Sequence, residues 1–83
     1  MKRRKLFQKI LLTRNNIRFE DLQKVIEGFN FHLDRVQGSH HIYVRAEIPE
    51  LVNIQNDKGK AKPYQIKQFL SLVEKYNLKL EEE

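Results

Sequence analysis

Gln37-Gly38-Ser39 lies between a run that alternates apolar and polar residues and a β-favouring run, and a β-hairpin is the arrangement that accommodates both. Gly38 can take the positive-φ backbone that other residues resist. Ser39 can hydrogen-bond locally and hold the bend. Before the turn, Asn30 to Gln37 sets Phe31 and Leu33 against His32 and Asp34; after it, His40 to Arg45 carries the β-favouring run Ile42-Tyr43-Val44. Upstream, Phe19, Leu22, Val25, Ile26 and Phe29 fall at the spacing of a helical apolar stripe over Phe19 to Glu27. Glu20 and Asp21 suit the positive end of its dipole, and Gly28 suits the C′ position that would end it. Leu51 to Gln55 is a short third strand, and Pro49 makes Glu47 to Glu50 a loop or strand edge. Pro63 opens a last helix, with Ile66, Phe69, Leu70 and Val73 inward and Asn77 at its end. Lys5 to Leu12 can form a first helix too short to be stable alone, and Thr13-Arg14-Asn15-Asn16 reads as a turn. The order α-α-β-β-β-α predicts an α+β fold, a three-stranded antiparallel sheet with helices packed on one face.

With 83 residues, the chain suffices for one domain, spanning 1–83, with a small core. Its net charge of +5 suits a polyanionic partner as well as simple solubility. The absence of cysteine removes disulfides, thiolate catalysis and zinc–thiolate sites, and it fits a reducing cytoplasm. The basic start Met1 to Lys5 resembles the charged region of a signal peptide. However, Gln8 and Lys9 interrupt the apolar stretch behind it, and no small-residue cleavage site follows. No stretch approaches the roughly 20 apolar residues of a membrane span. A cytoplasmic location and no membrane partner are therefore expected, and Lys2, Arg3, Arg4 and Lys5 read as a frayed terminus.

The residues with chemistry gather after the turn. Histidine titrates nearest neutrality and can give or take a proton. Period-two alternation puts His40 on the face of Ile42 and Val44, and His41 on that of Tyr43 and Arg45. An apolar Ile42–Val44 face should turn toward the helices, setting His40 at the rim of the core as a candidate general base. A rim histidine bonded to a carbonyl is the structural alternative. Adjacent histidines on opposite faces do not share one ion, and no carboxylate stands at ligand spacing, so neither metal nor cofactor is expected. Lys58, Lys60 and Lys62 precede a helix start, where free N–H groups attract anions, and could clamp phosphate. Tyr43, Tyr64 and Phe31 could stack on bases, although aromatics in a domain this small are more often core.

Taken in order, the helix Phe19-Glu20-Asp21-Leu22, the strand Leu33-Asp34-Arg35, the signature Gly38-Ser39-His40-His41-Ile42-Tyr43 and the helix from Pro63 resemble the HicA, or YcfA-like, family of bacterial toxins. The resemblance covers about 17–78, leaving 1–15 as an N-terminal extension and 79–83 as an acidic tail. It implies a fold like the double-stranded RNA-binding domain and a metal-independent endoribonuclease that cuts mRNA. It also implies silencing by a HicB-like antitoxin. The family's catalytic histidine falls on His40, and its motif glycine on Gly38, with Ser39 and His41 completing the motif. Many members carry Pro-x-His before the last helix, whereas Asn56 to Pro63 here is rich in lysine and has no histidine. The expected mechanism uses the RNA 2′-hydroxyl as nucleophile, with Arg35, Arg45 and the loop lysines offsetting charge on the phosphate. Two rival readings are a non-catalytic RNA-binding module and a protein-interaction subunit.

Overall fold

The computed structural model describes residues 2–81; Glu82 and Glu83, the end of the acidic tail, lie outside the described residues. The elements follow the expected order: α1 (Arg3–Leu12), α2 (Phe19–Gly28), β1 (His32–Gln37), β2 (His40–Arg45), β3 (Ile48–Gln55) and α3 (Pro63–Lys75). The strands form one antiparallel sheet in the order β1-β2-β3. The helices cover one face, in the α+β arrangement of the double-stranded RNA-binding domain. Gly38 at φ +59° makes the β1–β2 turn, and Ser39 is not at positive φ, the pattern of a type II′ hairpin.

Both strand-flanking helices end on asparagine. Asn30 (φ +68°) and Asn77 (φ +51°) adopt the left-handed conformation. Each is followed by a return bond, Phe31 N–H to Ile26 O and Leu78 N–H to Val73 O, which closes a Schellman-type end. Asn77 is where the sequence put it. Gly28 is not: it is the last residue of α2, and its role is close packing. A Cβ there would stand 2.7 Å from Leu80 Cδ1 and 2.8 Å from Arg3 Cδ. The chain after α3 returns across this point, with Glu81 N–H donating to Gly28 O at 2.8 Å. The N-terminal residues also differ from the frayed terminus expected of them. Arg3 begins α1, and Leu6 and Ile10 are 2% and 1% exposed in the common core.

Which sheet face meets the helices also reverses the expectation. Tyr43, fully buried, points into the helix-side core together with Val52 and Ile54, while Ile42 lies on the opposite face. The third strand decides this. Its inward set Ile48, Val52 and Ile54 alternates with Leu51, Asn53 and Gln55, and its register pairs Val52 with Tyr43 and Ile54 with His41. A one-residue slip would send the whole apolar set into water. Tyr43 tolerates burial because Gln23 of α2 donates to its hydroxyl at 3.0 Å. Desolvation pushes the Tyr43 hydroxyl pKa up from 10.0.

Phe29, Phe31 and Phe69 join the helices to the sheet, with edge-to-face centroids 5.6 and 5.8 Å apart. Gln65, buried at the start of α3, accepts from Gln55 N–H at 2.7 Å and so completes the end of β3. Strand β3 runs through Pro49 from Ile48, longer than expected. No residue of β1 is buried, and a bulge between Leu33 and Arg35 interrupts its pairing. No described helix is long and apolar enough to cross a membrane.

Candidate functional site

The two histidines mark the end of the sheet beside the Gly38-Ser39 turn, one on each face. On the helix-free face, His40 stands opposite Gln37 of β1 and Gln55 of β3. One step along, Ile42 stands opposite Arg35 and Asn53. Ile42 is only 6% exposed and gives this face an apolar floor. His40 is half-buried, and its Nδ1 lies 3.1 Å from Asn53 Oδ1. An amide oxygen only accepts, so with the Asn53 amide in this orientation the bond requires the tautomer in which Nδ1 donates. In the neutral ring that tautomer leaves Nε2 as the acceptor. The sequence singled out His40 but not Asn53. Its signal was there in the alternation of β3, which sets Asn53 outward between Val52 and Ile54.

His41 turns to the other face. Its ring meets Phe19 edge-on with centroids 4.8 Å apart and planes at 65°. His41 Nδ1 is buried and has no hydrogen-bond partner among the described residues. The ring lines a cleft of about 400 Å³ together with Arg18, Phe19, Glu20, Gln23, Asn56 and Gly59. Asn56 N–H donates to Ser39 O at 2.9 Å, tying the β3–α3 connection to the histidine turn.

That connection, which carries Lys58, Lys60 and Lys62, is a tight turn. Asp57 and Lys60 exchange backbone bonds of 3.0 Å each, and Lys58 and Gly59 sit at φ +53° and +86°, which is a type I′ turn. Asn56 Oδ1 accepts from Gly59 N–H at 2.7 Å. The turn docks on the start of α2, where Phe19 N–H donates to Gly59 O at 2.9 Å and Ala61 N–H to Ile17 O at 2.8 Å. Lys58 and Lys60 are therefore exposed cations beside the His41 cleft, and Lys62 occupies the N-cap position of α3 without a side-chain capping bond.

Of the two arginines, Arg35 shares the His40 face, where it pairs with Asp34. Arg45 does not. It donates to Phe29 O at 2.8 Å and to Glu47 at 2.9 Å, at the far end of β2, about 16 Å along the strand from His40. Tyr43 and Phe31 are core residues, while Tyr64 is exposed. No three histidine, aspartate or glutamate side chains converge as a metal-binding group among the described residues.

A domain with this sheet, these covering helices and a histidine-bearing hairpin end matches a known family. The family model described as the HicA toxin of bacterial toxin–antitoxin systems matches residues 19–74, about two thirds of the chain. The chain belongs to the HicA toxin family. The match begins at the first residue of α2, so α1 lies before it. Searches of curated proteins and of solved structures found no significant match.

Proposed function

We propose that the chain is a metal-independent endoribonuclease that cuts mRNA in the cytoplasm as the toxin of its pair, with His40 as the acid–base group. The observation that supports this reading is the Asn53–His40 hydrogen bond on the helix-free sheet face, whose tautomer leaves Nε2 of the neutral ring as the acceptor. In the proposed reaction Nε2 takes the proton of a ribose 2′-hydroxyl. The O2′ attacks phosphorus as the P–O5′ bond breaks, leaving a 2′,3′-cyclic phosphate and a 5′-hydroxyl that receives the proton. Arg35, diagonal to His40 across the strand pair, offsets charge gathering on the phosphate. Asn53 acts as a positioning residue by fixing the tautomer and the ring plane. Lys58, Lys60 and Lys62 hold the strand through phosphates. Arg45, bonded at the opposite end of β2, is left out of this mechanism.

The partner in this reading is a HicB-like antitoxin that covers the His40 face, its encounter speeded by complementary charge against a chain of net +5. Incubation with end-labelled RNA, single-stranded DNA of the same sequence and EDTA tests the activity. RNA is expected to be cut with or without EDTA, and DNA to be bound and left whole, since it lacks the nucleophile. RNA retained without cleavage would turn the reading to a binding module, and no retention at all to a protein-interaction subunit.

A further inference from the structure

The His41 cleft is not used by the chemistry proposed for His40, yet it is built from groups with a definite hydrogen-bonding remainder. Its volume of about 400 Å³ lies within the roughly 300–1,000 Å³ of small-ligand clefts. One wall is aromatic, the Phe19 and His41 rings held edge-on. Two amides face it, and each is already fixed by one bond within the fold. Gln23 spends its Nε2 on the Tyr43 hydroxyl, which leaves Oε1 as an acceptor. Asn56 spends its Oδ1 on Gly59 N–H, which leaves its amide N–H groups as donors. Arg18 stands at the mouth with a largely exposed side chain, in ion pairs of 3.5 Å with Glu20 and 3.4 Å with Asp21.

An aromatic wall with one preset acceptor and one preset donor does not suit a bare phosphate, which has no use for the acceptor. It suits a planar ring whose edge carries both kinds of group, the property of every nucleobase. We infer that this cleft is a nucleobase subsite, holding one unstacked base of the RNA while a neighbouring phosphate lies over His40. The inference rests on the ribonuclease reading and deepens it. The sequence makes the two positions neighbours: His40 and His41 are adjacent, with Cα atoms about 3.8 Å apart, and face opposite sides of the same sheet end. A strand crossing the Gly38-Ser39 turn passes both. Gly59 lines the cleft, and its exposed sequence neighbours Lys58 and Lys60 add positive charge to the turn that carries it.

The test titrates ¹⁵N-labelled protein with a short 2′-O-methyl oligoribonucleotide, which has no free nucleophile and is not cut, and with an abasic strand carrying the same phosphates. The base-bearing strand is expected to shift the amides of Phe19, Gln23, His41, Asn56 and Gly59. The abasic strand should bind about tenfold or more weakly and lose those shifts, on the scale of one stacked base. Gln23→Glu replaces the amide donor by a carboxylate, to which the Tyr43 hydroxyl would donate instead, and sets a negative charge in the cleft; it should weaken the base-bearing strand by a similar factor. The comparison of the two strands needs no variant, so it stands even where Gln23→Glu does not fold. Equal affinity and equal shifts for the two strands, or shifts confined to the Arg35–His40–Asn53 face, would overturn the subsite and leave the ribonuclease reading in place. Absence of binding to either strand would overturn both.

Discussion

Ile10→Ala measures whether α1 belongs to the same cooperative unit as the family-matched region it precedes. Ile10 is 1% exposed and sits in the core with Leu6. Truncation to alanine removes three carbons, about 2.4 kcal/mol at about 0.8 kcal/mol each. The cavity left behind brings the expected cost to about 2–5 kcal/mol. For 83 residues at about 0.05–0.15 kcal/mol each, total stability is about 4–12 kcal/mol. The substitution therefore removes a large fraction of it. With a urea slope of about 1–3 kcal/mol/M for a small domain, the midpoint should fall by about 1 M or more. Leu12 of the same helix is 88% exposed and serves as the control, with Leu12→Ala within about 0.5 kcal/mol of wild type. Urea unfolding followed by far-UV circular dichroism reads both. Equal midpoints for the two variants would refute the reasoning, because α1 would then unfold without disturbing the rest.

Gln65→Leu strands the Gln55 N–H that its side chain now satisfies, and should cost about 1–3 kcal/mol by urea unfolding, with faster hydrogen exchange at Gln55. Hydrogen bonds from Lys75 and then Tyr76 hold the Glu50 carboxyl at about 2, below its ordinary 4.5. Its folded-state pKa is the lower one, so its contribution is complete above pH 4.5 and is lost as pH falls toward 2. The melting-temperature gap between wild type and Glu50→Gln should accordingly narrow on acidification over that window, and a constant gap would contradict it. Glu50 also raises the Lys75 pKa above 10.5, so that side of the pair weakens only as pH climbs past that value. Changing Lys58 to Asn, which tolerates its φ of +53°, and Lys60 and Lys62 to Gln should weaken RNA binding and reduce the salt slope by up to about 0.7 per lost contact. An unchanged slope would make the three lysines ordinary surface residues.

The elements were legible because their signals are local. The Gly38-Ser39 turn, the second strand and the Pro63 helix start lie where the residues put them. The facing of the sheet was not, because Ile42-Tyr43-Val44 is apolar on both faces and its orientation is fixed by β3, in particular by Val52 and Ile54. Gly28 and Asn30 both suit a helix end. The choice between them depends on the later return of Leu80 across α2, a contact between residues far apart in sequence. The same holds at the site. His40 could be picked from its motif, but Asn53 and the split of Arg35 from Arg45 depend on strand register. The spacing of Lys58, Lys60 and Lys62 did not reveal the type I′ turn that docks the loop on α2 before it enters α3.

The central claim is that His40, oriented by Asn53 on the open face, moves the proton in RNA cleavage. The most direct measurement is the single-turnover rate of cleavage of a defined RNA by wild type, His40→Ala and Asn53→Ala across pH 5–9, with the ends of the products identified. The account predicts a loss of about 10² or more for His40→Ala with the circular dichroism spectrum unchanged. It also predicts 2′,3′-cyclic phosphate ends and, for Asn53→Ala, a smaller loss with a displaced pH profile. Equal rates for wild type and His40→Ala, or products ending in a 3′-hydroxyl, would contradict it.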